Sequence, residues 1–412
     1  MKVQHFKHSL YTSGCALLVA TPFLWGWMWP VGLAGLILSL QILSKSENLT
    51  TKQFLVQSLL FGYVFFGVVL GWIYGINTTK LIGDTVFATV FLGLTYFIMV
   101  GGLAVGFLLF GILYRSLKVS TNNSTILYIP FLFSLSEFIR SVFFSVVSFG
   151  DGGSIGPYWN FGSFGFATMN TPLKYASRVV GLYGTTLLVI IIAIVLFQII
   201  HKRYRYTPLL LVPLVLSLVG WSLYRQSNGT DLKVATVSVQ GEVEDGYQKD
   251  LSRKITDVSN LDLLVLPEYS YYFVDSNGKR TDQKIPANVA LTVDSSTKRE
   301  ADEVKNAVSY YNSQSRLLKD YEKRFLIPGG EYIPYIYQVI LFYSGNTTLI
   351  NQFHEKHAIN QSLLTEQSFE YAGVRYGSLA CSGAIAPSFY GSLTKEGAQV
   401  LTNSASISTL GV

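Results

Sequence analysis

Three residues whose types together can move an acyl group lie in the second half of this 412-residue chain: Glu268, Lys323 and Cys381. A thiolate attacks a carbonyl carbon, a carboxylate can take the thiol proton and later return it, and an ammonium can hold the oxyanion that develops in between. Each residue also has an ordinary reading. Glu268 alone is an acid at a strand end, Lys323 is a solvated lysine between Glu322 and Arg324, and Cys381 is a small buried hydrophobe.

Their local settings argue for the set. Lys233-Val234-Ala235-Thr236-Val237-Ser238-Val239-Gln240 reads as a strand, followed by a polar helix over about 245–258. Leu263-Leu264-Val265-Leu266 reads as a buried strand ending in Pro267-Glu268, and the carboxyl end of such a strand is where open α/β proteins place their chemistry. The lysine precedes Leu326-Ile327-Pro328, which reads as an apolar strand, and the turn Gly329-Gly330-Glu331. Val374-Arg375-Tyr376-Gly377-Ser378-Leu379-Ala380 reads as a strand that ends in Cys381. The other cysteine, Cys15, lies in an apolar stretch, so neither a disulfide nor a cysteine zinc site is expected. His354 and His357 are one residue too close for a His-Glu-x-x-His metal motif and read as a solvated loop.

The elements that must position these residues divide into two solvents. The chain is 50% hydrophobic and 14% charged, against roughly 25% charged for a soluble protein. Residues 1–226 hold 14 Lys+Arg and only 4 Asp+Glu, whereas residues 227–412 hold 17 and 21. A membrane domain over 1–226 and a water-exposed α/β domain over 227–412 follow, joined by a linker at Ser227-Asn228-Gly229. Basic residues clustered at helix ends belong to membrane topology, so the overall excess of positive charge does not point to nucleic acid.

Seven apolar segments are long enough to be membrane helices: about 9–25, 29–44, 54–76, 84–114, 125–148, 179–200 and 207–225. With the N-terminus cytoplasmic, nine basic residues fall on inside segments and three, Lys80, Lys174 and Arg178, outside. Seven crossings then put the α/β domain on the outer face. Glu137 and Arg140 share one face of the fifth helix and can neutralise one another. The aromatic loop 150–178 reads either as a packed loop or as an interfacial guide for an acyl chain. No internal repeat and little intramembrane charge argue against a transporter.

The order Pro267-Glu268, Lys323 with Leu326-Ile327-Pro328-Gly329-Gly330-Glu331, then Cys381, resembles the Glu-Lys-Cys set of the nitrilase, or carbon-nitrogen hydrolase, superfamily. It is most similar to the membrane branch, the apolipoprotein N-acyltransferases. That resemblance implies an α-β-β-α sandwich following a polytopic helical domain, and a multi-pass protein of the bacterial inner membrane. It implies that Cys381 takes an acyl chain from a membrane phospholipid as a thioester and passes it to the N-terminal lipidated cysteine of a diacylglyceryl apolipoprotein. Glu268 would be the general base, Lys323 the cation at the oxyanion and Glu331 a supporting carboxylate, with no cofactor and no metal.

The sequence departs from that pattern at Gly329, where the family has Phe, and at Ser382-Gly383, where it has an aromatic residue and Glu. Gln399 replaces an expected acid, and Ala405-Ser406-Ile407-Ser408-Thr409-Leu410-Gly411 replaces Ser-Asn-Asp-Ala-Trp-Phe-Gly. The resemblance would also have the chain continue past Val412, so the α/β domain is expected to be shortened. Two further readings are a membrane-tethered amidase, which would pass the acyl group to water, and a truncated, catalytically inactive relative.

Overall fold

The computed structural model describes residues 2–75, 85–121, 124–225, 231–238, 245–257, 260–275, 278–286, 288–300, 303–356, 359, 361 and 367–406. The expected linker at 227–229, His357 and residues 407–412 lie outside these. The chain divides into two compact units. One holds residues 1–79, 83–144 and 160–228; the other holds 80–82, 145–159 and 229–412.

The first unit is helical: α1 (Lys2–Leu24), α2 (Trp29–Ser44), α3 (Thr51–Val69), α4 (Thr85–Ser116), α5 (Ile129–Val147), α6 (Ser177–Ile200) and α7 (Leu211–Arg225). Six segments among the described residues are long and apolar enough to cross a bilayer, one fewer than expected. The one outside that set is α1. It forms a helix, but Lys2, Gln4, His5, Lys7 and His8 in its first two turns dilute its hydropathy. Local sequence sets the helix ends. Thr50 and Gln53 form a reciprocal capping box at the start of α3, and Pro30 occupies the first turn of α2. Packing joins α1 to α2 and α3, α3 to α4, and α6 to α2 and α7. Close approach uses small residues: a Cβ at Gly220 of α7 would collide with the Tyr175 carbonyl oxygen.

Glu137 and Arg140 are both buried, and their hydrogen bonds run to residues 161–164 and to α6. Glu137 accepts from the Phe164 amide (3.0 Å) and the Thr186 hydroxyl (2.8 Å), while Arg140 donates to the Phe161 carbonyl (2.7 Å) and Ser163 Oγ (3.1 Å). The second half of the aromatic loop is therefore a packed segment pinned by two ionisable side chains.

The second unit is mixed α/β. One sheet has strand order β1-β2-β3-β4-β5, formed by β1 (Val234–Thr236), β2 (Leu261–Glu268), β3 (Val289–Glu300), β4 (Glu303–Asn312) and β5 (Leu317–Glu322). The other has order β6-β7-β8, from β6 (Phe369–Tyr371), β7 (Val374–Ala380) and β8 (Val400–Ser404). The helices are α8 (Asp245–Thr256), α9 (Tyr335–Tyr343), α10 (Thr347–Lys356) and α11 (Pro387–Lys395).

Period-2 alternation assigns the layers. Leu264 and Leu266 of β2 pack on Leu251 and Ile255 of α8, while Leu263 and Val265 meet Tyr376 and Ala380 of β7. On the outer side of β7, a Cβ at Gly377 would touch Leu393 of α11 at 3.1 Å. The order is helix, sheet, sheet, helix. Residues 145–159 close onto this unit: the Tyr335 amide donates to the Phe149 carbonyl (2.9 Å), the Tyr332 hydroxyl to the Ser148 carbonyl (2.9 Å), and Tyr158 and Trp159 pack on Phe325.

One expected element is absent. Leu326-Ile327-Pro328 is not a strand; β5 ends just before Lys323, and an irregular loop follows. Pro328 has no N–H to give a ladder. Gly329, at φ 80°, turns the chain so that Glu331 caps the Ile327 amide through Oε2 at 2.8 Å.

Candidate active site

Strand direction brings the first two residues to one edge. β2 and β3 run parallel, β3 and β4 antiparallel, and β4 and β5 antiparallel, so β5 runs the same way as β2. Glu268 is the last residue of β2 and Lys323 follows the last residue of β5. Lys323 Nζ donates to Glu268 Oε1 at 3.1 Å and to Glu331 Oε1 at 2.8 Å, and all three side chains are buried. Cys381 follows β7 with φ 40°, a left-handed conformation for a residue with a side chain, of the kind that gathers at functional sites. Its thiol lies close enough to Glu268 and Lys323 for their charges to act on it. The turn is held from two sides: Ser382 Oγ donates to the Phe325 carbonyl (2.6 Å), and Asn403 Nδ2 donates to the Cys381 carbonyl (3.3 Å). The four candidate residues thus form one cluster. A narrow cleft lined by Phe325, Leu379, Gly383 and Phe389 opens beside Lys323.

Further members were not legible in the sequence. Asn306 lies near the start of β4, which runs opposite to β2 and so reaches the same edge. Its Nδ2 donates to Glu268 Oε1 at 2.8 Å and its carbonyl accepts from the Lys323 amide at 2.6 Å. The Tyr269 hydroxyl donates to Glu331 Oε1 at 3.3 Å. Asp294 of β3 accepts from Ser270 Oγ at 2.6 Å, and Ser270 Oγ accepts in turn from the Tyr272 amide at 3.1 Å. This pair anchors the turn after Glu268, in which Tyr269 and Tyr271 both adopt positive φ. The only sequence signal for Asn306 and Asp294 is a polar side chain inside an otherwise buried strand.

Burial governs the proton equilibria. It pushes the Cys381 thiol up to about 12; the Glu268 charge adds to that, and Lys323 opposes it. Burial also raises the Glu268 carboxyl, against the pull of Lys323. For Lys323, burial works downward, but Glu268 and Glu331 outweigh it and the ammonium stays charged. With the thiol protonated, two carboxylates and one ammonium leave the cluster one negative charge. Moving the thiol proton onto Glu268 preserves that charge, whereas losing it to solvent would add another in a low-dielectric site. The arrangement therefore suits a thiol activated by its own base during attack rather than a standing thiolate. Among the described residues, no group of three or more His, Cys, Asp or Glu side chains is placed to hold a metal ion.

Comparison with known proteins adds the following. No curated protein sequence matches this one. Solved structures similar to the chain include an amidase from Nesterenkonia sp. (14% identity over 43% of this chain and 66% of the amidase, TM-score 0.29). Others are a glutamine-dependent NAD+ synthetase from Acinetobacter baumannii (15%, 42% and 32%, TM-score 0.30) and a carbon-nitrogen hydrolase from Helicobacter pylori (12%, 43% and 58%, TM-score 0.26). The chain thus spans less than two thirds of the length of each of these three. Residues 13–195 match the apolipoprotein N-acyltransferase N-terminal domain. That match covers the helices and less than half of the chain.

Proposed function

We propose that this protein transfers an acyl chain from a membrane phospholipid to the amino group of a lipidated N-terminal cysteine of an apolipoprotein, through a thioester on Cys381. The observation that carries the reading is the buried Lys323 ammonium bridging Glu268 and Glu331, with the Cys381 thiol beside them. In the first half-reaction, Glu268 takes the thiol proton as sulfur attacks the ester carbonyl. Lys323, with two of its hydrogens on carboxylates, has a third for the oxyanion. Collapse breaks the carbon–oxygen ester bond, Glu268 protonates the departing lysophospholipid hydroxyl, and the thioester remains. In the second, Glu268 takes a proton from the attacking amine, the amide bond forms, and the thiol leaves with its proton restored. Glu331 holds the lysine in place and caps the Ile327 amide.

The membrane-spanning helices and the family match of residues 13–195 support a protein working where both substrates are anchored. The surplus of basic residues at one set of helix ends supports a cytoplasmic N-terminus and an α/β unit at the outer face of the inner membrane. Intact-mass analysis after incubation with phospholipid vesicles tests the reading. A mass gain of one acyl chain, removed by hydroxylamine and absent in Cys381→Ala, is expected, followed by its discharge to a diacylglyceryl peptide. Discharge to water alone would make the protein a hydrolase instead of an acyltransferase, and the lack of any adduct would rule out thioester chemistry.

A further inference from the structure

The helical unit holds a mostly apolar cavity that is partly open to its surroundings. It lies among the N-terminal halves of α1, α3 and α5 and the C-terminal halves of α2, α4 and α6. Phe61, Phe107, Phe110 and Phe133 are part of its apolar wall. Its polar lining is unusual in what it lacks. Thr12 is 5% exposed, and its hydroxyl has no hydrogen-bond partner among the described residues; nor does the buried carbonyl oxygen of Gln57, whose amide nitrogen is spent on Ser9 Oγ at 2.8 Å. The three serines in the described lining give their hydrogens to backbone carbonyls, Ser39 to Gly35, Ser46 to Leu43 and Ser58 to Phe54. Facing the cavity are therefore lone pairs in excess of donors.

A buried acceptor without a donor is costly, so a ligand that brings hydroxyl or amide hydrogens has an advantage over a plain hydrocarbon chain. Among the described residues, no Lys, Arg, Asp or Glu lines the cavity, and His8 is its one titratable side chain. Neither an anionic nor a cationic head finds a fixed counter-charge there. We infer that this cavity binds an uncharged single-chain lipid whose head carries hydroxyl donors, as a monoacylglycerol does, with the head at Thr12 and Gln57 and the chain along the phenylalanines. This site is separate from the Cys381 cluster and does not depend on its chemistry.

Equilibrium binding of radiolabelled 1-oleoylglycerol to the full chain in phosphatidylcholine nanodiscs, corrected with empty discs, tests the inference. Thr12→Val keeps the volume and removes the hydroxyl, and Gln57→Leu removes the carbonyl; each should weaken binding about tenfold, the loss expected for one buried hydrogen bond. Ala193→Phe, which fills the cavity, should abolish binding, and Cys381→Ala should leave it unchanged. Octadecene and oleoyl lysophosphatidate should compete at least tenfold less well than the unlabelled monoacylglycerol. Equal competition by octadecene would overturn the role of the donors, and equal competition by the lysophosphatidate would overturn the uncharged head. Binding unchanged in both Thr12→Val and Gln57→Leu would overturn the site; should one variant fail to fold, the other decides.

Discussion

Asn306 Nδ2 donates to Glu268 Oε1 at 2.8 Å, so the acid at the end of β2 is held by a neutral amide from an antiparallel strand as well as by Lys323. That bond stabilises the charged carboxylate of a group that burial pushes upward. Asn306→Ala removes the donor and should raise the Glu268 carboxyl further. The acid limb of the kcat/KM profile for acyl transfer should then move to higher pH by about one unit, with roughly a tenfold loss of rate below it. An unmoved limb with a uniform loss would assign Asn306 a packing role only.

In the proposed mechanism Glu268 activates Cys381 while its charge restrains the thiol, and the two effects can be separated. Its charge helps hold the thiol near 12, so Glu268→Gln should let the thiol ionise at lower pH and react with iodoacetamide several-fold faster at pH 8 to 9. The same substitution removes the base and should cut acyl transfer by roughly a hundredfold or more. Opposite movements of alkylation and turnover are the expected signature; parallel losses would mean the site had collapsed.

Asp294 supplies a stability signal independent of turnover. Burial raises its carboxyl to about 6, so the native state keeps a proton that the unfolded chain releases near pH 4. The contribution is full below about pH 4 and is lost as pH rises to about 6, roughly 3 kcal/mol over the window. Thermal unfolding of the detergent-solubilised protein should show this slope, and Asp294→Asn, which has no proton to lose, should flatten it. An identical slope in the variant would remove Asp294 from the account.

In the helical unit, Gly220→Ala would drive a methyl group into the Tyr175 carbonyl. α7 must shift or separate from the segment before α6, at about 1–3 kcal/mol. A lowered Tm in detergent is expected, and an unchanged Tm would show that α7 has room to move.

The amino-acid pattern by itself determined what depends on neighbours along the chain. Runs of apolar residues marked six of the helices that can span a membrane, and the switch to alternation marked the α/β part. The strand before Glu268 and the strand before Cys381 were legible because each is a short apolar run with a clear end. Tertiary structure decided everything that depends on strand direction and register. Whether Glu268, Lys323 and Cys381 meet is set by β2 and β5 running the same way and by the packing of two sheets, none of which is encoded in spacing. Asn306 and Asp294 were invisible for the same reason: each acts on a partner many residues away in the chain. The apolar run after Lys323 misled, because Pro328 and the Glu331 carboxylate turn it into a loop that serves the site. The protonation of the cluster also had to wait for the fold, since burial, the largest influence on the thiol, exists only once the chain has closed around it.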